Sequence, residues 1–507
     1  MRLVAFGVFS VFIGFVSCQK KSEQQAYFCT EAYQDKRTVL SEELASIRAK
    51  TKDKTGIYIL EQGEEAMVSR AWLCENAEKT IDVQYFIFAN DNIGLIGSDL
   101  LLRAADRGVN VRILVDDIMV DASPEELLAL SSHSNISIKI YNPNANIGKN
   151  ILSKLYSAAT GFKDFNQRMH NKSFTVDGKV VITGGRNIAD EYFDYDHRYN
   201  FRDRDVLMLG KAVPQVVKSF NEFWNHPVSV SVSEVLDSTD YTYSAKDNFE
   251  FLHQYACNPE NFWTQIRERI KEVPDAFKKI QSSGELKWVD DVHYVSDAPG
   301  KNGNDKGLGG GGITTDTLVS LIQRATRSIN IQSPYLITTK ESRKLLADAV
   351  NRGVVVKVLT NSLGSTDALE AFSGYQRDRA ELLATGIELF EFKPDAASRM
   401  RLMNQEIHGD TANVPVFGLH AKTMVVDEQV SVIGTFNFDP RSSNLNTECL
   451  TIIYSDSLAL QLVSTLNTDM RSENAWRIST RFNPDSTCTI FRQMKSKIRY
   501  LVPKSVL

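Results

Sequence analysis

The sequence predicts an α/β protein built from two similar halves related by pseudo-twofold symmetry. Each half is a mixed sheet flanked by helices, and one active site forms where the halves meet. Three observations predict this. A strand–helix–strand segment occurs twice, a cluster of polar residues follows each copy at matched spacing, and the strands read as nearly continuous apolar runs. Apolar strands alternating with helical segments make a sheet covered by helices.

The chain has 507 residues, 42% of them apolar, and a formal net charge of -5. That is ordinary globular composition, and it argues against a protein built to neutralise many nucleic-acid phosphates. Residues 1–18 have the form of a signal segment: Arg2, then an apolar run from Leu3 to Ser17, then Gln19, Lys20 and Lys21. A run of about 15 apolar residues suits an export signal and is short for a spanning helix. Phe15-Val16-Ser17-Cys18 resembles a bacterial lipoprotein cleavage site, with Phe15 where Leu is usual, and makes Cys18 the candidate for lipidation. Ordinary signal cleavage or an uncleaved anchor is the alternative. The expected location is therefore the cell envelope, exported and membrane-associated, with secretion onto foreign membranes as a variant. Among Cys18, Cys29, Cys74, Cys257, Cys449 and Cys488 there is no C-x-x-C pair, so a zinc or thioredoxin-like site is not expected, and at most one or two disulfides are.

Residues 19–54 read as a helical extension and 55–227 as the first half. In it, Ile81-Asp82-Val83-Gln84 opens a strand, Leu100 to Arg107 is helical, Gly108 ends the helix, and Val111 to Val115 is a strand. Residues 228–300 read as a polar and aromatic connector. The second half, 301–480, repeats the pattern with Ile329-Asn330-Ile331-Gln332, Leu345 to Arg352, Gly353 and Val354 to Leu359. Residues 481–507 are a C-terminal extension.

The polar clusters carry the chemistry. The first is His170-Asn171-Lys172 with Asp177, Gly184, Gly185 and Asn187. The second is His420-Ala421-Lys422 with Asp427, Gly434 and Asn437. On a strand, His and Lys two apart share a face. Asp177-Gly178 makes a tight turn, and an antiparallel return through Val180-Val181-Ile182 brings Asn187 back towards His170. Lysine supplies charge for a phosphate, an asparagine amide supplies a neutral donor, and glycine permits close backbone approach. One such cluster is weak evidence. Two at the same spacing inside a repeat are not explained by packing or chance.

These residues are the H-x-K-x4-D signature of the phospholipase D superfamily, which the chain resembles from about residue 55 to 480. Within it, the chain resembles bacterial cardiolipin synthases of the C type. The segments that carry this are Asn171–Phe174, Gly184–Ile188, Asp190–Phe193, Leu359–Leu363, Asp439–Ser442 and Asn446–Glu448. The resemblance implies two-step displacement through a covalent phosphohistidine, with His170 as nucleophile and His420 as general acid, though symmetry allows the reverse. Lys172, Lys422, Asn187 and Asn437 would hold the phosphate oxygens. Asp177 and Asp427 belong to the signature, with a turn position that suggests structure. An acidic residue beyond each Asn would orient a histidine: Glu448 in one half, Asp205 in the other, with Asp203 as a near competitor. Arg441 is a candidate headgroup contact, with loop anchoring as its alternative. Tyr192 and Phe193 read as packing. The segment 146–169, with Lys149, Lys154, Lys163 and Arg168 among apolar residues, reads either as a membrane-contacting lid or as a solvated helix and loop. No metal or other cofactor is implied, because two lysines supply the positive charge.

The expected partners are membrane phospholipids such as phosphatidylglycerol and phosphatidylethanolamine, and a membrane surface. The expected products are phosphatidic acid by hydrolysis or cardiolipin by transfer to phosphatidylglycerol. A nucleic-acid phosphodiesterase is the competing enzyme reading, and a non-catalytic binding module the third. Oligomeric state is left open.

Overall fold

The computed structural model describes residues 39–143, 146–147, 166–262, 273–303, 309–402 and 415–507. Strands β1 (Thr55–Leu60), β2 (Thr80–Tyr85), β3 (Asn110–Asp116), β4 (Ile136–Tyr141), β5 (Ser173–Val176) and β6 (Val180–Gly184) open the first half. They are followed by β7 (Tyr199–Arg202), β8 (Asp205–Gly210), β9 (Ser229–Ser231) and β10 (Lys287–Val289). The second half contains β11 (Val292–Ser296), β12 (Ser328–Gln332), β13 (Val355–Asn361), β14 (Glu388–Phe392) and β15 (Val416–Leu419). It continues with β16 (Thr423–Val426), β17 (Val430–Gly434), β18 (Cys449–Tyr454) and β19 (Ala475–Arg477).

The sheet orders display the repeat. The first is β10-β1-β8-β6-β5-β2-β3-β4-β9 and the second β11-β18-β17-β16-β12-β13-β14-β19. Without β10, they correspond strand for strand. In each, three parallel strands (β2, β3, β4; β12, β13, β14) continue into antiparallel neighbours. Strands β9, β10 and β11 lie in the stretch read as a connector, so that stretch also completes the edges of both sheets. Three short segments were illegible as strands because each lacks the apolar run that marks an interior strand.

Helices α1 (Gly63–Asn76), α2 (Asn92–Asp106), α3 (Val213–Asn225), α4 (Ile313–Arg324), α5 (Lys340–Asn351), α6 (Leu369–Ala384), α7 (Asp456–Asp469) and α8 (Ile490–Ile498) position the rest. Asp91 caps α2 by accepting from Gly94 N, and Thr339 caps α5 by accepting from Ser342 N. Gly108 and Gly353 follow these helices at φ 93° and 90°, the left-handed conformation that glycine adopts at least cost.

Alternation along the strands splits the core into layers. Val180 and Ile182 face the helices of the first half, while Val181 faces inward. Val181, Val206 and Met208 pack with Val425, Ile433 and Ile453 in one cluster shared by the two sheets. A parallel pair, β7 with β15, ties the halves a second time. The halves are thus fused through an apolar centre, which fixes the position of one motif against the other.

Candidate active site

Each histidine is held by the opposite half. His170 and Lys172 lie in extended chain just ahead of β5 rather than within it. His170 N donates to Thr447 O at 3.0 Å, and Thr447 N donates to Arg168 O at 3.0 Å. His420 N and Ala421 N both donate to Arg202 O, at 2.8 and 2.9 Å. The side chains follow the same exchange. Nδ1 of His170 lies 2.8 Å from Glu448 Oε2, and Nδ1 of His420 lies 2.5 Å from Asp203 Oδ2. A carboxylate at Nδ1 takes the proton there and leaves the Nε2 lone pair for chemistry.

Aromatic rings fix both imidazoles. Phe86 stands edge-on to His170 at 5.2 Å between centroids, Tyr192 edge-on to His420 at 5.0 Å, and Phe201 lies 4.7 Å from His420. Lys172 Nζ donates to His170 O at 2.9 Å. Lys422 Nζ donates to His420 O at 2.6 Å and lies 2.8 Å from both ring nitrogens of His420. With the Nδ1 proton given to Asp203, Nε2 is the nitrogen able to accept from Lys422.

Burial and crowding of positive charge set the protonation states. Desolvation lowers His170 to about 4, with Lys172 and Lys422 adding to the effect against Glu448. Desolvation and then Lys422 lower His420 to about 3, against Asp203. Lys172 and Lys422 are themselves pushed down by burial, to about 8 and about 7. Burial favours a neutral Asp203 carboxyl, but His420 and Lys422 outweigh it and hold the carboxyl well below its ordinary value. Charges from both motifs act on each histidine, so the two motifs form one site.

The first-half acid is Asp203, which corrects the expectation of Asp205. The strand registers give the reason. Gly184 pairs with Asp205 and Gly434 with Leu450, so the counterpart of Glu448 is two residues before Asp205. Asp205 instead accepts from Arg70 Nη2 at 2.8 Å and from Arg186 N at 3.2 Å. The two acids are accommodated differently. A Cβ on Gly185 would lie 2.0 Å from Asp203 Oδ1, so only glycine leaves room there. In the other half Thr435 replaces that glycine, and its hydroxyl donates to Glu448 Oε2 at 2.5 Å.

The family comparison fits this geometry. The family described as "Cardiolipin synthase, PLD-like domain" matches residues 73–224 and 318–470, one stretch in each half. The chain belongs to this family. It is 34% identical over 423 residues to cardiolipin synthase C of Escherichia coli (strain K12), covering 83% of this chain and 86% of that protein. Cardiolipin synthase 1 of Bacillus anthracis is 25% identical over 403 residues, 79% of this chain and 64% of that one. Among solved structures, a phosphatidylserine synthase of Haemophilus influenzae Rd KW20 shares the fold. It matches with a TM-score of 0.55 at 16% identity, covering 92% of this chain and 100% of that one.

In this PLD-like chain the remaining expected residues fall into two groups. Asn187 and Asn437 end the return segments of their motifs. Asn187 Oδ1 accepts from Ile87 N at 3.1 Å, whereas Asn437 Oδ1 is buried with no hydrogen-bond partner among the described residues. Asp177 and Asp427 lie at the turns with φ 52° and 54°, away from the histidines. Asp177 accepts from the backbone N of Glu78, Lys79 and Thr80, and Asp427 from that of Thr326, Arg327 and Ser328. Both carboxylates hold the backbone that leads into a neighbouring strand. Arg441 donates to Asn166 Oδ1 at 2.9 Å and to Val506 O at 3.2 Å, so it anchors a loop and the C-terminal segment. Phe193 is buried beneath Arg70, 5.3 Å from its guanidinium, as packing requires. Arg168 is buried, 3.4 Å from Asp116, and is no part of a lid. Lys149, Lys154, Lys163 and Cys18 lie outside the described residues. Phe86, Phe201 and Thr435 were not foreseen. Phe86 follows strand β2 in an aromatic run (Tyr85, Phe86, Phe88), the one signal that pointed to it.

Proposed function

We propose that this protein is a phosphatidyltransferase that acts through a covalent phosphohistidine. The observation that supports this best is the pair of crossed contacts, His170 with Glu448 and His420 with Asp203, which set two imidazoles in one lysine-rich site. With Nδ1 turned to Glu448 and its pKa lowered, His170 is neutral at pH 7 and presents the Nε2 lone pair. It attacks phosphorus, the P–O bond to the leaving alcohol breaks, and His420 gives that oxygen a proton. The bound phosphodiester's negative charge offsets the repulsion from Lys422, which raises His420 into the range a general acid needs. His420 then takes the proton of the incoming hydroxyl, which displaces His170. Lys172, Lys422 and the Nδ2 donor of Asn437 stabilise the oxygens in the transition state.

Glycerophospholipid is the substrate class that the kinship with cardiolipin synthase C supports. Phosphatidylglycerol as acceptor yields cardiolipin, and water yields phosphatidic acid. Purified protein is incubated with vesicles of phosphatidylethanolamine and phosphatidylglycerol, and products are read by mass spectrometry. Cardiolipin from the wild type, absent with His170→Ala or His420→Ala, is expected. Phosphatidic acid alone would make the enzyme a hydrolase. Neither product, with variants equal to wild type, would reject the lipid reading and turn attention to nucleic acids.

Export with lipidation at Cys18 is part of the same proposal. Cys257 is disulfide-bonded, which suits an oxidising compartment, while Cys74, Cys449 and Cys488 are free thiols. Among the described residues, no helix is long and apolar enough to cross a membrane. Loss of metabolic lipid label in Cys18→Ala would be the sign of lipidation there.

A further inference from the structure

Helix α8 is mounted inside out. Arg492 and Ser496 face the protein. Arg492 donates to Leu363 O and Thr366 O, each at 2.7 Å, and buried Ser496 donates to Gln376 Oε1 at 3.1 Å. Its apolar residues face water: Ile490 is 76% exposed, Phe491 67%, Met494 57% and Ile498 63%, and Leu501 just beyond the helix is 87% exposed. Ile490, Met494 and Ile498 stack at i, i+4 and i+8, with Phe491 beside them, so they form one stripe. At 3.6 residues per turn, Lys495 and Lys497 flank the two edges of that stripe. Lys495 lies 4.3 Å over the Phe491 ring with its stem along the apolar surface.

Water does not favour this orientation, and a contiguous apolar patch of this kind marks an interaction surface. The charge around it selects the partner. Residues 489–507 hold no acidic side chain, and of their basic ones Arg492 is turned inward while Arg499 and Lys504 pair with Glu370 and Asp378, so the charge left at the face is that of Lys495 and Lys497. An apolar stripe edged by lysines fits the interface of an anionic bilayer. We infer that α8 and Leu501 form the face by which this protein docks on anionic phospholipid.

The position suits the site. Arg492 grips the loop Leu363–Thr366, and the next residue, Asp367, accepts from Tyr335 at 2.7 Å and lies within reach of the Lys422 charge. Docking there sets the wall of the site against the lipid. This reason for docking rests on the lipid reading above, but its test needs no turnover.

The test uses full-length Phe491→Trp protein with vesicles whose acyl chains carry bromine as a quencher, with unsubstituted protein as the baseline for the native tryptophans. Val355→Trp, at an exposed site at the start of β13, is the control. With phosphatidylglycerol vesicles, the added fluorescence of F491W is expected to shift blue and fall at least twofold. With phosphatidylcholine vesicles, or for V355W, it is not. A further Leu501→Ser change in F491W weakens the effect on the order of tenfold in lipid concentration. No quenching of F491W while the protein sediments with vesicles overturns the inference. So does a dimer in lipid-free solution that Leu501→Ser dissolves, because the face is then covered by a second copy. Quenching without phospholipid turnover would remove the proposed function and leave the docking face standing; turnover without quenching would do the reverse.

Discussion

Asp203 and Asp205 sit two residues apart in the same chain segment and hold different partners, which separates chemistry from stability at single-residue resolution. Asp203→Asn keeps the shape at His420 but loses the charge that fixes its tautomer. Turnover is expected to fall by about 100-fold or more, with the melting temperature little changed. Asp205→Asn breaks a buried pair with Arg70 and is expected to cost roughly 3–5 kcal/mol of stability, while the kcat of the folded fraction stays near wild type. Urea unfolding and initial rates on both variants check this. The lysines give a pH dependence. Their ordinary value is 10.5, and the site lowers Lys422 to about 7 and Lys172 to about 8, so each loses its charge at a lower pH than a free lysine. Binding of tungstate, a dianion throughout this range, is expected to weaken as pH rises from 7 to 9. Lys422→Met should remove the lower step, as titration calorimetry would show. The sign for stability is opposite. The unfolded chain holds these protons more tightly, so their contribution to stability grows between about 7 and 10.5.

At the scale of elements, the turns after each H-x-K are the fixed points. Asp177 satisfies three backbone N–H groups at the start of β2 and Asp427 does the same at β12. Asp177→Ala leaves those donors without their acceptor and is expected to cost about 1–3 kcal/mol. The kcat of the folded enzyme should stay within about threefold, measured at a temperature below both transitions. The repeat made these elements legible. Apolar runs at β2, β3, β12 and β13, the turn dipeptide, and Gly108 and Gly353 all sit where their local chemistry placed them. What local chemistry could not reveal is pairing between distant segments. His170 and Glu448 are 278 residues apart, and the loops from Asn187 to Asp203 and from Asn437 to Glu448 differ in length. Spacing therefore could not choose between Asp203 and Asp205; the β6–β8 register does. The loop-anchoring reading of Arg441 was likewise illegible as to its partner, because Asn166 lies in the other half.

For the whole molecule, the site exists only while the halves hold their register. Arg202 joins Glu61, at 2.6 Å, to Asp469, at 3.2 Å, and Arg204 reaches Gln332 and Thr423 at 3.1 and 2.6 Å. Burial works against a charged Glu61, but the two arginines hold it down to about 2. These cross-links and the apolar cluster between the sheets make the protein one cooperative unit, so calorimetry should show a single transition. Arg202→Ala leaves the buried carboxylate of Asp469 without its cation, while Glu61 keeps Arg204, and is expected to cost roughly 3–5 kcal/mol.

The proposed chemistry turns on a covalent intermediate on His170 in a site completed by the second half. The direct measurement is rapid alkaline denaturation of enzyme mixed with phosphatidylglycerol vesicles, followed by mass spectrometry of the peptides. A phosphatidyl adduct on His170, absent in His170→Ala, is the predicted result. Continued turnover with no adduct on either histidine would rule out covalent catalysis by this site.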